Sequence, residues 1–284
     1  MFNRRSKKQV LASPDNFSVL KADPWYKDKL GIIQSYIKAY QRRFDLRNKT
    51  KMLVYIGSGP GMVNFTDTDQ YANSTPLSIL GMEEGFQRYI FCEKNIDFTQ
   101  ALKVRIGRHY PSKHTMVIEG DINKTVDKLS PYLPEKIGKS PTAILCIIDM
   151  QSFDLDFETM ELLSAMDMDL VLVNSFVHTP YYNYNFYLEE EREQLNAFFG
   201  SSWARLAEGS TLQSDTSFFM LVVKAYIAKI KQLGYNVTST LHKYNLEDAL
   251  VPYYQIAYCT KAKVLKSVKE SMVQEASKQT ELFG

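Results

Sequence analysis

From residue 51 to residue 174, short apolar runs alternate with stretches of helical periodicity, and this alternation constrains the fold more than any other feature. Lys51–Ile56, Tyr89–Glu93, His114–Glu119, Ala143–Asp149 and Leu170–Asn174 read as strands. Between them, residues 76–85, Thr99–Gly107, Ile122–Leu129 and Phe157–Ala165 read as helices, the third of these stopped by Pro131. Ala143–Asp149 is apolar almost throughout, which suits a strand buried on both faces. Alternation of this kind predicts a parallel sheet covered by helices on both sides. The last third differs. Tyr187–Phe199 reads as one helix with an acidic start at Glu189, Glu190 and Glu191, and Asp215–Leu233 as a long amphipathic helix closed by Gly234. Tyr235–Leu241 and Pro252–Thr260 then follow as two strand-like runs with no clear helix between them. The expectation is an α/β, Rossmann-like fold: a seven-stranded, mostly parallel sheet with a C-terminal antiparallel hairpin.

The flanks are assigned by charge and periodicity. Residues 1–22 read as a flexible basic arm and residues 23–49 as an N-terminal helix, opened by Asp23 as cap with Pro24 in the first turn. Leu30, Ile33, Ile37, Tyr40 and Phe44 line one face of that helix, and Arg42, Arg43 and Arg47 gather where cations suit its dipole. Residues 50–262 form the main domain, and residues 263–284 a helical tail. The formal charge of +2 conceals an asymmetry, +8 over residues 1–50 against −6 over the rest. Such polarity predicts a nucleic acid or an acidic protein as partner of the N-terminal region; a solvated arm is the competing reading. No apolar run approaches the roughly 20 residues of a membrane helix, so no membrane partner is expected. Arg4, Arg5, Lys7 and Lys8 precede no apolar stretch, which excludes a secretory signal. Three cysteines without a CxxC pair argue against a disulfide framework or a zinc site; Cys92 and Cys146, inside apolar runs, read as buried thiols, and the compartment is expected to be reducing and cytoplasmic. His109, His114 and His242 are scattered, and no metal site is expected.

The chemical signal is Leu53-Val54-Tyr55-Ile56-Gly57-Ser58-Gly59-Pro60-Gly61, a strand that runs into alternate glycines. Such a turn lets the backbone approach a ligand closely. A dinucleotide-binding turn would need glycine at Met62, and no Lys-Ser/Thr pair follows to make a phosphate loop. G-x-G-x-G is instead the spacing of turns that pack against the methionine part and ribose of S-adenosylmethionine. Glu93 closes the second strand, where a carboxylate reaches ribose hydroxyls, and residues 64–76 read as an inserted loop that lengthens the spacing. Asp121 follows Gly120 after the third strand and is placed to accept from an adenine amino group. The cofactor-binding set is therefore Gly57, Ser58, Gly59, Gly61, Glu93 and Asp121; a carboxylate at a strand end also commonly caps the next helix. Asp149, at the end of the fourth strand, and His178, as a base near the donor methyl, are the catalytic candidates. Tyr181, Tyr182, Tyr184, Phe186 and Tyr187 form an aromatic cluster after His178 that either stacks a planar substrate or packs as a lid on the neighbouring helix. No D/N-P-P-Y/F motif for exocyclic amines is present.

Together these segments resemble the three-Cys-motif partner family, methyltransferase-like proteins encoded beside a cysteine-motif protein of radical-SAM type. The resemblance covers roughly residues 28–265. It rests on Gly59-Pro60-Gly61, Thr75-Pro76-Leu77, Phe91-Cys92-Glu93-Lys94, Gly120-Asp121, Ile147-Ile148-Asp149, Leu195-Asn196-Ala197-Phe198-Phe199-Gly200 with Trp203, and Pro252-Tyr253-Tyr254. It implies a Rossmann-like methyltransferase fold, S-adenosylmethionine as cofactor, and a partner encoded by a neighbouring gene. The chain departs from the pattern at Tyr55, where the family carries aspartate, and at Asp149-Met150-Gln151-Ser152, where it carries Asp-Pro-Phe-Gly. Both departures fall at the functional edge. They frame two expectations for activity: methylation of a nucleic acid or partner-bound substrate, or a non-catalytic scaffold within a multi-protein bacterial system such as defence.

Overall fold

The computed structural model describes residues 14–134, 142–177, 183–208, 214–243 and 253–262. Its main sheet contains β2 (Thr50–Ile56), β5 (Arg88–Glu93), β6 (Thr115–Glu119), β7 (Thr142–Gln151), β8 (Asp169–Phe176), β9 (Asn236–Lys243) and β10 (Tyr253–Thr260). They lie in the order β6-β5-β2-β7-β8-β10-β9. The first five are parallel, and β10 runs antiparallel between β8 and β9. This is the expected seven-stranded, mostly parallel sheet with an antiparallel C-terminal pair, as the alternation predicts.

Side-chain alternation along the strands divides the core into two layers. Leu53, Tyr55, Phe91, Leu145, Ile147 and Val171 face one way, packing against α1 (Trp25–Gln41), α2 (Thr75–Leu80) and α3 (Ile96–His109). Val54, Ile56, Cys92, Cys146, Ile148 and Leu170 face the other. That second layer is covered by α4 (Ile122–Thr125), α5 (Phe157–Ala165), α6 (Tyr184–Glu189), α7 (Arg192–Phe199), α8 (Trp203–Leu206) and α9 (Asp215–Gln232). The Phe-Phe-Gly plus Trp segment belongs to this core. Phe198 stacks on Tyr226 at 4.2 Å, Phe199 on Trp203 at 5.1 Å, and Gly200 closes α7 in a left-handed turn.

Several expectations are corrected. α1 ends at Gln41 and has no side-chain cap; the Asp23 carboxylate instead accepts from Thr66 Oγ1 at 2.9 Å. Arg43 is 3% exposed and does not serve the helix dipole. Its guanidinium binds Asp45, Asp169 and Tyr258 Oη, tying the end of α1 to β8 and β10. Residues 14–22 are not a free arm. Leu20–Ala22 forms β1, which pairs in parallel with β3 (Met62–Phe65), and β3 pairs with β4 (Tyr71–Asn73). The stretch expected as an inserted loop is thus a small hairpin in a second sheet. The single helix expected over Tyr187–Phe199 is two, α6 and α7, so Glu189–Glu191 occupy their junction rather than a helix start. Past α4, Val126–Tyr132 is a 3-10 turn that contains Pro131. The rest of the basic arm, His178 and the 263–284 tail lie outside the described residues.

Candidate functional site

The glycine turn sits at the carboxyl ends of the central strands, the edge at which open α/β sheets bind ligands. It is clamped from both sides. The Gly57 and Ser58 N–H groups both donate to the Cys92 carbonyl at the end of β5, at 2.9 and 3.1 Å. On the other side, a Cβ on Gly57 would stand 2.4 Å from the Asp149 carbonyl oxygen of β7, and Gly57 has φ +76°. Only glycine fits there. Gly59 differs: its φ is +70°, yet a Cβ built on it meets nothing within 4 Å. The space beside Gly59 is open. The Gly59 N–H donates to Glu93 Oε2 at 2.6 Å, and Glu93 Oε1 accepts from Asn95 N–H at 2.9 Å. Each carboxylate oxygen can accept a further bond. The Ser58 hydroxyl is buried and has no hydrogen-bond partner among the described residues. A buried hydroxyl left unpaired beside an open turn fits a polar ligand group.

Asp121 caps α4, its carboxylate accepting from Asn123 N–H at 3.1 Å. The helix-capping role set beside the adenine role is therefore present, and the second carboxylate oxygen stays available. Asn123 also bonds the Asp154 carbonyl and the Asp156 N–H, docking the loop after β7 against α4. Lys94 reaches Asp154 across the gap at 2.6 Å. Burial, reinforced by Asp121, Glu158 and Asp154, raises the Asp156 carboxyl above its ordinary range.

Asp149 is not a free carboxylate. Its Oδ2 accepts from Lys29 Nζ at 2.7 Å and from Tyr55 Oη at 2.6 Å. Lys29 comes from α1 and its side chain is 5% exposed. Its ammonium lies 4.0 Å from the Tyr26 ring centroid and 5.3 Å from that of Trp25, within cation–π range. Burial alone would lower the Lys29 pKa, but the Asp149 carboxylate outweighs it and holds the ammonium above the usual lysine range. Burial, with the Asp149 charge adding, pushes the Tyr55 phenol well up, so it stays a neutral donor. Tyr26 Oη pairs with Thr75 Oγ1 at 3.0 Å and accepts from Thr75 N–H at 3.1 Å, closing a polar network beneath the turn.

A third group braces the turn from behind. Arg105, wholly buried in α3, donates to the Pro60 carbonyl at 2.7 Å, to the Ser18 carbonyl at 2.8 Å and to both Asp15 carboxylate oxygens at 2.8 Å. The structure thus brings Gly57, Ser58, Gly59, Glu93 and Asp149 together around the turn, with Asp121 capping α4 beyond the next strand end. His178, Tyr181 and Tyr182 lie outside the described residues. Tyr187 is buried against Phe153 and Phe218, its hydroxyl donating to the Val177 carbonyl at 2.6 Å, so it packs in the core rather than facing a substrate. The three cysteines are buried thiols, Cys92 pushed up to about 12 by burial and the neighbouring Glu93. No His/Cys/Asp/Glu group able to hold a metal occurs among the described residues, and no described helix is long and apolar enough to cross a membrane. The sequence reading missed Lys29, Tyr26 and Arg105. Lys29 had a signal: it stands in the stripe Trp25, Tyr26, Ile32, Ile33 and Tyr36, where a cation breaks the apolar face.

No family model matches the chain, and no curated protein matches it. Among solved structures, protein LPL1258 of Legionella pneumophila is similar with a TM-score of 0.53 at 11% identity, covering 89% of this chain and 92% of that one. An O-methyltransferase from Bacillus cereus in complex with SAH has a TM-score of 0.44 at 10% identity, over 81% and 80% of the two chains. The O-methyltransferase TomG from Streptomyces achromogenes, in complex with SAM, has 0.42 at 12%, over 82% and 80%. At these identities the likeness to the Legionella protein establishes the fold alone.

Proposed function

We propose that the chain is an S-adenosylmethionine-dependent methyltransferase whose cofactor lies against Gly57, Ser58, Gly59 and Gly61, with Glu93 toward the ribose and Asp121 toward the adenine. One observation carries this reading: an open turn at Gly59, gripped by Glu93 and flanked by the unpaired Ser58 hydroxyl, at the carboxyl edge of this sheet. These groups fit a neutral nucleoside with hydroxyls and an exocyclic amine, and they supply no cationic phosphate cradle. The cofactor supplies an electrophilic methyl on a sulfonium; the chain's task is to position an acceptor in line with it. Asp149, paired with Lys29, shapes this edge, and His178 remains the candidate base. The acceptor is a nucleic acid or a partner-bound substrate, the cysteine usage points to a cytoplasmic setting, and the resemblance to the three-Cys-motif partner family adds a partner encoded nearby. Arg43 is withdrawn from the basic surface by its burial; residues 1–13 with Arg42 and Arg47 are the segment proposed to contact nucleic acid or an acidic protein.

The test is purification of the chain from its native cells with whatever accompanies it, followed by transfer of a radiolabelled methyl group to the co-purified material. Labelled product that is lost in Glu93→Ala supports the enzyme. Tight cofactor binding without transfer to any co-purified species would instead favour a scaffold.

A further inference from the structure

Lys29 and Asp149 form a buried pair of opposite charges whose hydrogen-bonding capacity is only half used. Among the described residues, the Lys29 ammonium donates to Asp149 alone, leaving two of its three N–H groups for something else. Both bonds to Asp149 fall on Oδ2, so Oδ1 accepts nothing from the described residues, and the Asp149 side chain keeps 11% exposure. Tyr55 contributes a hydroxyl to the cluster but no charge. The pair adjoins the glycine turn directly, since the Asp149 carbonyl is what excludes a side chain at Gly57. Two hydroxyls at the glycine turn are also buried without partners among the described residues: Ser58 within it, 4% exposed, and Ser74, 1% exposed. Ser74 is bonded through its N–H to the Gly61 carbonyl, and it precedes Thr75, which holds the Tyr26 ring beneath the Lys29 ammonium.

The complement of this arrangement is a molecule carrying one carboxylate and one ammonium close together. We propose that Lys29 and Asp149 form the seat of an α-amino acid zwitterion, Lys29 taking the α-carboxylate and Asp149 the α-ammonium, with Ser58 and Ser74 as neutral hydrogen-bonding walls. The proposal rests on the S-adenosylmethionine reading and assigns the methionine half of that cofactor to residues outside the glycine turn. It also changes the part played by Asp149 from a group acting on the acceptor to one that holds the donor. A zwitterion suits a buried ion pair because it adds no net charge, whereas a lone anion or cation would leave one member of the pair uncompensated. The bonds it makes are charge-assisted on both sides. Burial also fixes both partners before the ligand arrives, so little side-chain ordering is left to binding.

Two ligands separate this seat from the rest of the cofactor site. S-adenosylhomocysteine carries the α-amino acid group; 5′-methylthioadenosine is the same nucleoside thioether without it. Titration calorimetry of the full chain with each, on the wild type, Lys29→Met and Asp149→Asn, gives the readout, with thermal unfolding as the control for folding. The expected result is a loss of S-adenosylhomocysteine affinity in both variants of roughly ten- to a hundredfold. Methylthioadenosine affinity should stay at the wild-type value in the same variants. If a single variant does not fold, the double variant Lys29→Met with Asp149→Asn removes the charges together and is held to the same expectation. Equal losses for both ligands, or no loss for either, would overturn the seat and leave the pair as a bolt between α1 and the sheet. Failure of the wild type to bind either ligand would overturn the cofactor reading itself, a result distinct from the other two.

Discussion

Alanine at Gly57 and alanine at Gly59 perturb the same turn in opposite ways. Both positions have positive φ, +76° and +70°. A non-glycine residue in the left-handed region costs about 1–2 kcal/mol, partly offset by about 0.4–1 kcal/mol from the reduced freedom of the unfolded chain. Gly59→Ala therefore loses about 1 kcal/mol of stability, because its new methyl meets no atom within 4 Å. Gly57→Ala carries the same backbone cost and adds a methyl 2.4 Å from the Asp149 carbonyl oxygen. That oxygen belongs to a strand buried between two neighbours and cannot retreat, so the turn must move. Movement breaks the two N–H bonds to Cys92, each worth about 1 kcal/mol, and the total reaches about 3 kcal/mol. For chains of 150–250 residues 1 kcal/mol shifts Tm by roughly 2–4 °C, so Gly57→Ala should melt several degrees below Gly59→Ala. Calorimetric titration with S-adenosylhomocysteine should reverse their order. Gly59→Ala fills the open space and abolishes binding while the fold survives; Gly57→Ala binds at temperatures where it remains folded. Equal melting temperatures, or an unchanged affinity in Gly59→Ala, would refute the reasoning about which glycine serves the fold and which serves the ligand.

Ser152 has φ +52° at the position where the resembled pattern carries glycine; Ser152→Gly should gain up to about 1 kcal/mol in denaturant unfolding, the left-handed cost less the entropy glycine gives back. Cys92, Cys146 and Cys259 are buried, and burial raises all three thiols; a colourimetric thiol reagent should find no fast-reacting cysteine in the native chain and three after unfolding. Asp15→Ala removes the carboxylate that pairs with the wholly buried Arg105 guanidinium through both of its oxygens. It should lower stability by roughly 3 kcal/mol in denaturant unfolding, and through the Arg105–Pro60 bond it should also weaken cofactor binding.

The parallel strands of the main sheet were legible because each carries an apolar run bounded by polar or turn residues, and a buried parallel sheet permits little else. The elements that escaped lack such a signature. β3 and β4 span four and three residues and include Asn64 and Asn73; their pairing depends on residues 20–22, more than 40 positions away, which local pattern cannot report. The break between α6 and α7, at Glu190 and Glu191, is hidden in a run of good helix formers. At the site, glycines and strand-end carboxylates announce themselves by position. Lys29 does not, because its partner Asp149 is 120 residues distant and only the fold brings them together. The same holds for Arg43, which reads as a helix-end cation until Asp169 and Tyr258 are seen around it.

The central claim is that the open turn at Gly59 and the Glu93 carboxylate hold S-adenosylmethionine, and equilibrium titration calorimetry of the full chain tests it most directly. S-adenosylmethionine and S-adenosylhomocysteine should both bind with one-to-one stoichiometry, and Glu93→Ala should weaken each by about 1.5–3 kcal/mol, the worth of hydrogen bonds to a charged acceptor. NADH should give no heat of binding, since Met62 stands where a dinucleotide turn needs glycine. Binding of NADH with none of S-adenosylmethionine or S-adenosylhomocysteine would contradict the account.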